Sequence, residues 1–320
     1  MSVDVLKKYQ KINIDNSRIG IALGSGSARG WAHIGVLQAL AEIGIEPDIV
    51  AGSSIGALVG AAYASNQLDE MGEIVKTLSW KDIVSYLDMS IMAGGLIQGE
   101  KLANFFRNHM KEMDIESLPR RFAAVATELS SGREIWLQNG SLLDAVRASV
   151  ALPGLFTPFK YNNQWLVDGG IVDPVPVSLC RAMGAEIVIA VSLNGDIIGK
   201  HGRNNNQLVK QEEIKENETE LWGRISDQLE KTLREKKNAL LSRLFGDSLT
   251  SPGLIEVLAG SIHIMQDRIT RSRMAGDPPD IILSPRLSYL GLMEFDRGVI
   301  AIEEGRACVN RMRSEFEHLI

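Results

Sequence analysis

Cysteine is scarce in this sequence, since Cys180 and Cys308 are the only two among 320 residues. Two cysteines cannot form the disulfide framework that stabilises small secreted domains, so we expect a protein of a reducing compartment, the cytoplasm. Neither cysteine belongs to a C-x-x-C pair or to a Cys/His cluster, which argues against a structural zinc site. We therefore predict that the protein needs neither a metal ion nor another cofactor.

Long hydrophobic runs are also lacking. No apolar stretch follows the charges in residues 1–8, so we expect no secretory signal there. One uncharged run, residues 49–67, approaches the length of a membrane span, but it is rich in Gly, Ser and Ala and is interrupted by Gly52-Ser-Ser54. A buried strand, a turn and a buried helix account for this run better than a membrane-spanning helix does.

Charge is not strongly biased, with 40 acidic and 34 basic residues and a formal net charge of -6. This acidic balance argues against broad nucleic-acid binding. Hydrophobic residues make up 45% of the chain and aromatic residues 6%, which is typical of globular proteins and excludes a collagen-like, coiled-coil or disordered chain over most of the length. A chain of this length can form one large domain or two.

Glycine, in contrast, is abundant, with 30 residues that concentrate in a few stretches. An apolar run at 19–23 is followed by Gly24-Ser-Gly-Ser-Ala-Arg-Gly30, then by a helical pattern at 31–43, a strand at 48–51 and a sharp turn into another apolar helix. Further predicted elements are strands at 122–127, 133–137, 164–168, 186–192 and 281–284 and a helix at 296–319. This order predicts an α/β fold with a largely parallel sheet.

A charged segment interrupts the pattern. Between residues 210 and 237 about half of the side chains are charged, and an apolar stripe recurs at four-residue steps from Leu221 to Leu233. We predict three segments: a catalytic core at 19–195, a charged helical insertion at 196–250, and a C-terminal part at 251–320 that completes the core's domain. The insertion can be a solvated helix, a lid or membrane-contacting flap, or, at 204–237, a site for a protein partner. The uncharged stretch 89–98 is a second candidate for a mobile rim.

The sequence Gly52-Ser-Ser-Ile-Gly56 matches G-x-S-x-G, with Ser54 in the middle. The match falls between a predicted strand and a predicted helix, where a nucleophile elbow belongs, and this context makes a short motif specific. The dipole of the following helix places positive potential near the serine oxygen. We therefore predict that Ser54 is a nucleophile.

A serine nucleophile needs a base, and the five histidines do not supply an obvious one. His33 precedes the serine on a helical face, and none of His109, His201, His263 and His318 follows a predicted strand. Asp168 does lie at a strand end, in Leu166-Val-Asp-Gly-Gly170, and a carboxylate serves as a general base when burial raises its pKa.

The glycine-rich loop after the first strand supplies backbone N–H groups for a developing oxyanion. Its spacing also resembles a dinucleotide-binding loop, but that interpretation requires an acidic residue at the end of the second strand, where this chain has Ala51-Gly-Ser-Ser54. A Walker loop is excluded because the Gly-Lys-Ser/Thr sequence is missing.

Together these motifs resemble the patatin-like phospholipases, of the bacterial kind that is similar to the catalytic domain of neuropathy target esterase. The resemblance extends over residues 19–193 and, more weakly, over 279–307. It rests on the glycine loop, the serine elbow, Asp168-Gly-Gly170 and the block Arg147-Ala-Ser-Val-Ala-Leu-Pro-Gly-Leu-Phe156. Four motifs in this order are far more specific than any one of them.

The resemblance implies a patatin-like three-layer α/β/α sandwich and a Ser–Asp dyad without histidine, with Ser54 as nucleophile and Asp168 as base. The implied oxyanion-hole residues are Gly24, Gly26, Ser27, Ala28, Arg29 and Gly30, and the motif glycines of the elbow and of the aspartate turn are Gly52, Gly56, Gly169 and Gly170. The family's loop is usually richer in glycine than this one, which has Ser25 and Ser27.

The resemblance implies a serine acyl hydrolase of lipid esters, of the phospholipase A or lysophospholipase type. The alternative is a patatin-like regulatory protein that acts through protein contacts with little or no hydrolysis. The expected ligand is a lipid ester, nucleic acid is not expected, and transient contact with a membrane surface is left open. The sequence does not specify head group, acyl position or oligomeric state.

Overall fold

The computed structural model describes residues 18–78, 112–153, 156–195, 246–247, 251–252 and 254–316. The predicted rim at 89–98, the charged segment at 204–237, and His109, His201 and His318 lie outside these described residues. The chain divides into two compact units, Met1–Asp196 with Met265–Ile320, and Ile197–Ile264. The described strands of the second unit form one short antiparallel pair, and the predicted bounds of the three segments stay a prediction.

The seven predicted strands lie close to their expected positions, and three short strands that were not predicted are also present. The strands are β1 Ile19–Leu23, β2 Ile49–Ser53, β3 Arg121–Glu128, β4 Glu134–Leu137, β5 Phe159–Tyr161, β6 Gln164–Asp168, β7 Ile187–Val191, β8 Gly246–Asp247, β9 Ser251–Pro252 and β10 Ile281–Leu283. The three that were not predicted are β5, β8 and β9. The α-helices are α1 Ala32–Glu42, α2 Ile55–Ala64, α3 Leu68–Thr77, α4 Leu142–Ser149, α5 Val177–Ala182, α6 Leu254–Gly276, α7 Gly298–Arg311 and α8 Arg313–Phe316.

The central sheet has the strand order β10-β7-β1-β2-β3-β6-β5, and β4 also pairs with β3. The four pairings from β10 to β3 are parallel, whereas β4, β6 and β5 are joined in antiparallel pairs. The prediction of a mostly parallel sheet is therefore confirmed. Short turns join β3 to β4 and β5 to β6, and such turns permit only antiparallel neighbours. The antiparallel pair of β3 and β6 is instead joined by a long connection that includes α4.

Helices cover both faces of this sheet. On β1, Ile21 and Leu23 belong to one buried cluster with residues of α1 and α2, and Ala22 belongs to a second cluster with Leu179 and Cys180 of α5. Successive strand residues point to opposite faces, so a strand covered on both sides is apolar throughout. This explains the uninterrupted apolar runs of β1 and β7 and confirms the three-layer arrangement.

Two strands lie end to end along one edge of β3. β4 pairs with residues 124–127 of β3 and so occupies one edge of that strand. β2 pairs with residues 121–125 and β6 with residues 126–128. Because both stretches overlap the one that β4 covers, β2 and β6 must share the other edge. β2 ends with Ser53 opposite Val125, and β6 ends with Asp168 opposite Ala126. The carboxyl ends of β2 and β6 therefore meet at adjacent positions of β3.

The predicted C-terminal helix at 296–319 is wrong in its details. The described chain forms a 3-10 turn at Phe295–Arg297, then α7, and then the separate short helix α8. The break falls at Met312, whose φ of -102° and ψ of 14° leave the helical region and whose N–H bonds to the carbonyl of Val309. This turn lets Phe316 become fully buried, a tertiary effect that no proline or glycine signals in the sequence.

Two glycines allow α1 and α7 to pack almost backbone to backbone. A Cβ atom at Gly35 would collide with the carbonyl oxygen of Ile302, and one at Gly305 would collide with that of Ala32. These contacts leave no room for even a methyl group, because neither backbone can shift without disturbing the core.

We predict that Gly35→Ala lowers the free energy of unfolding by about 1–3 kcal/mol or more, because the added methyl overpacks the α1–α7 contact. The matched control is Gly72→Ala in the middle of α3, where the nearest atom would lie 3.5 Å from the new Cβ. The control should be neutral or stabilising by up to about 1 kcal/mol from helix propensity. Urea titration measures both, and equal effects at the two sites would contradict the packing argument.

Candidate active site

Ser54 lies in a strained turn between β2 and α2. Its φ of 57° and ψ of -126° are unusual for a residue other than glycine. A Cβ at Gly52 would collide with Ala57, and one at Gly56 with the carbonyl of Leu23, so both positions tolerate only glycine. The local structure is that of a nucleophile elbow.

Asp168 contacts Ser54 directly. Ser54 Oγ donates a hydrogen bond of 2.5 Å to Asp168 Oδ2, and the N–H of Gly170 donates one of 2.7 Å to Oδ1. A Cβ at Gly169 would collide with the carbonyl oxygen of Val125, so the chain can turn beside β3 at this point only with glycine. The structure thus brings together the two side chains that the sequence singled out.

The Asp168 carboxyl is completely buried. Burial raises its pKa from 3.8 to about 7, and the hydrogen bonds from Ser54 and Gly170 oppose this rise. The group therefore changes charge near neutral pH, which is where a general base is most effective.

N–H groups on both sides of the middle of the glycine loop are engaged in holding the loop in place. Those of Gly24 and Ser25 donate to the carbonyls of Val191, at 3.1 Å, and Pro174, at 2.8 Å. Those of Ala28 and Arg29 donate to the carbonyls of Leu292, at 3.1 Å, and Gly26, at 3.2 Å. Among the described residues, none accepts a hydrogen bond from the N–H of Gly26 or Ser27. The N–H groups of these two residues, in the middle of the loop, are therefore the ones without a described backbone acceptor.

The second half of the glycine loop is helical. Residues Ser27–Trp31 form a 3-10 helix that leads into α1, and Ser27 adopts a left-handed φ of 51°. A Cβ at Gly30 would collide with the side chain of Ile55, so the loop packs directly against the residue that follows Ser54. The N–H of Ile55, at the first position of α2, is one of the helix-terminal donors that have no intrahelical acceptor.

The side chain of Arg29 binds the same segment that accepts a hydrogen bond from the N–H of Ala28. Its guanidinium is buried, and Nε donates a 3.0 Å hydrogen bond to the carbonyl of Leu290. Burial lowers the Arg29 pKa to about 10, and the charge of Glu294 opposes that change. These contacts assign Arg29 the role of fixing the loop to the segment before α7.

The described histidines have structural surroundings. His33 is fully buried, its Nε2 donates to the carbonyl of Gly24 at 2.8 Å, and burial lowers its pKa to about 4, so the ring is neutral. His263 is a buried residue of α6. Within the described part of the chain, the Ser54 hydroxyl donates to Asp168 and to no histidine.

The sequence did not reveal three backbone contacts that hold the pair. Ser149 Oγ accepts from the N–H of Ser54 at 2.9 Å, the carbonyl of Ala151 accepts from the N–H of Asp168 at 2.9 Å, and Thr127 Oγ1 donates to the carbonyl of Asp168 at 2.8 Å. Ser149 and Ala151 belong to the block 147–156, which is one of the four motifs of the resemblance. That motif was the one feature of the sequence that pointed to these contacts.

Two further polar residues near the site are structural. Ser25 Oγ donates to Ser53 Oγ at 3.2 Å beneath the elbow. Asp173 does not cap a helix, the role its position before Pro174 suggests; it is buried, and its Oδ2 lies 3.3 Å from Arg273 Nη1. Burial raises the Asp173 pKa to about 8, against the effect of Arg273.

The described residues also bear on metal binding and on membrane insertion. Where the chain is described, no group of three or more His, Cys, Asp or Glu side chains could hold a metal ion. No helix of that part has both the length and the apolar character needed to cross a bilayer.

Several known proteins are similar to this chain. A family model described as patatin-like phospholipase matches residues 21–181. An uncharacterized NTE family protein of Mycobacterium tuberculosis is 35% identical, covering 94% of this chain and 92% of the relative. Mouse patatin-like phospholipase domain-containing protein 7 is 32% identical, over 56% of this chain but 14% of that protein.

A solved structure, VipD from Legionella pneumophila, has a related fold. It superposes with a TM-score of 0.52 at 12% sequence identity, covering 93% of this chain and 66% of the VipD chain. At this level of identity the match supports the fold alone.

We predict that Asp168→Asn makes the protein more stable than wild type at pH 8 but not at pH 4. The folded-state pKa is raised from 3.8 to about 7, so the wild type loses stability as the pH rises between these values. The difference between variant and wild type should grow by up to about 1.4 kcal/mol per pH unit in this window. Urea unfolding between pH 4 and 8 measures it.

The control for this experiment is Asp296→Asn, which removes an exposed carboxyl. An exposed group meets water in both states, so its removal should give no comparable pH-dependent difference. A constant difference for Asp168→Asn across the window would contradict the burial of a titrating carboxyl.

Proposed function

This chain belongs to the patatin-like phospholipase family, and from that membership we propose a serine acyl hydrolase of lipid esters, of the phospholipase A or lysophospholipase type. The observation that carries the proposal is the 2.5 Å hydrogen bond from Ser54 Oγ to the buried carboxylate of Asp168. Ser54 and Asp168 act as a dyad in this proposal, with no histidine between them.

The reaction proceeds through an acyl-enzyme. Asp168 accepts the proton of the Ser54 hydroxyl while Oγ attacks the ester carbonyl, and collapse of the tetrahedral intermediate expels the alcohol, which takes that proton. A water molecule then attacks the acyl-enzyme, Asp168 accepts its proton, and the fatty acid leaves as Ser54 regains a proton. A pKa of about 7 suits a group that must accept and return a proton at each stage.

Backbone N–H groups stabilise the developing oxyanion in this proposal. We assign this role to Gly26 and Ser27 of the glycine loop and to Ile55 at the start of α2. The assignment is supported by the packing of Gly30 against Ile55 and by the engagement of neighbouring loop amides elsewhere. Such donors act strongly because they are oriented before the reaction begins.

We propose a lipid ester rather than a polar ester as the substrate because the chain belongs to a family of phospholipases. Transient contact with a membrane surface is part of the proposal, since the substrate resides there. Labelling of Ser54 by a fluorophosphonate probe distinguishes this hydrolase from the alternative, a regulatory protein with little or no hydrolysis.

We predict that a fluorophosphonate probe labels Ser54 in the wild type and that Ser54→Ala abolishes both labelling and ester hydrolysis. Asp168→Asn should lower kcat about 10²–10⁴-fold, the usual contribution of a general base. The matched control is Ser53→Ala, which removes the adjacent hydroxyl without touching Asp168 and should keep labelling. Mass spectrometry of the labelled peptide identifies the site. An unlabelled wild type would favour the regulatory role.

We also expect kcat/KM for a neutral, soluble ester to fall as the pH drops through about 7, because a protonated Asp168 cannot accept the Ser54 proton. The residual activity of Asp168→Asn should lack this dependence. Initial rates from pH 5.5 to 8.5 measure both profiles. A flat wild-type profile over this range would rule out Asp168 as the titrating base.

A further inference from the structure

The backbones of Ser54 and Asp168 are both tied to one short segment, residues 149–151, at the end of α4. Ser149 Oγ accepts from the N–H of Ser54, and the carbonyl of Ala151, two residues later, accepts from the N–H of Asp168, each at 2.9 Å. We propose that Ser149 is a positioning residue for the reaction, with residues 149–151 setting the separation of nucleophile and base. This inference rests on the proposed dyad.

Ser54 depends on this contact because of its conformation. With φ at 57°, it stands between β2 and α2, where its N–H belongs neither to the pairing of the sheet nor to the ladder of the helix. The one described acceptor for this N–H is Ser149 Oγ. Ser149 is fully buried, so bulk water cannot replace its hydroxyl.

Asp168 is held from two directions. Ala151 accepts from its N–H, and Thr127 on β3 donates to its carbonyl. The backbone of Asp168 therefore cannot rotate without breaking one of these hydrogen bonds, and this fixes the position of its carboxylate. Of these two hydrogen bonds, the one to Ala151 involves the same segment, residues 149–151, that also binds the backbone of Ser54.

The segment itself is rigid. The N–H of Val150 bonds to Val146 at 3.0 Å, and the N–H of Leu152 bonds to Val150 at 2.7 Å, which closes a tight turn after α4. The guanidinium of Arg147 lies 4.9 Å from the centre of the Phe159 ring and links α4 to β5. None of these contacts involves the dyad, so the segment keeps its shape independently of the groups that it positions.

Loss of the Ser149 hydroxyl frees the Ser54 backbone to relax out of its strained conformation. The Ser54–Asp168 hydrogen bond is short, so a small displacement of Oγ weakens proton transfer and misaligns the attack. Among the described residues, the hydrogen bond of the Ser149 side chain is to the backbone of Ser54 and not to the glycine loop, so substrate affinity should depend on Ser149 little. The expected signature is a fall in kcat with little change in KM.

The experiment compares Ser149→Ala with Ser141→Ala on a short-chain p-nitrophenyl ester. Ser141 is the N-cap of the same helix and accepts from the N–H of Asp144 at 3.2 Å, so both variants lose a serine oxygen that accepts from a backbone N–H. We expect Ser149→Ala to lower kcat about 10–100-fold with KM within about twofold, because misplacement of a reacting group by about 1 Å costs on this order. Ser141→Ala should keep wild-type kcat.

A third variant separates positioning from cavity formation. Ser149→Cys leaves no cavity, but a thiol is a weak acceptor, so its kcat should also fall. It keeps the test decisive if Ser149→Ala proves unfolded at the assay temperature, which thermal unfolding shows. Wild-type kcat in Ser149→Cys or in folded Ser149→Ala overturns the inference, as does an equal loss in Ser141→Ala.

Failure of this inference is distinguishable from failure of the proposed function. If wild-type Ser54 is labelled and active but the Ser149 variants match wild type, only the positioning role is lost. If the wild type is neither labelled nor active, the dyad itself is wrong and Ser149 has nothing to position.

Discussion

The site depends on one constraint in the sheet: β2 and β6 share the same edge of β3 and meet end to end. Ser53 pairs with Val125 and Asp168 with the next residue, Ala126, so the two strand ends face each other across a single step of β3. β6 can arrive there only as an antiparallel strand, and it can turn away only through Gly169, because a side chain would strike the carbonyl of Val125. The antiparallel strands at this side of an otherwise parallel sheet thus have a definite role.

The same constraint places a carboxyl where water does not reach, and the consequence is electrostatic. Burial disfavours the charged form of Asp168, while hydrogen bonds from Ser54 and Gly170 favour it, and the balance leaves its pKa near neutrality. A strained serine and a desolvated carboxylate both cost stability, which the apolar core on the two faces of the parallel strands offsets. The apolar core thus stabilises a fold that holds both the strained backbone of Ser54 and the buried carboxyl of Asp168.

Much of the fold could be predicted because local burial leaves a local pattern. Strands covered on both faces, such as β1 and β7, read as unbroken apolar runs, and the tight turn at Ser54 needs the glycines that flank it. Features set by distant contacts left no such pattern. The helix breaks at Met312 and Phe316 is buried just beyond the break. The 3-10 turn at 27–31 forms where Gly30 packs on Ile55. Neither feature can be predicted from the positions of proline and glycine alone.

The sequence was enough to single out candidate residues and to predict the local backbone around them: a serine in a glycine-flanked turn, an aspartate before two glycines and a glycine loop after the first strand. The tertiary structure was needed to place Ser54 and Asp168, 114 residues apart, within one hydrogen bond, and to bring Ser149 Oγ to the backbone N–H of Ser54. It also decided which loop amides have acceptors. The physical reason is that turn chemistry and periodicity act over a few residues, whereas the edge that a strand joins and its register depend on the whole sheet.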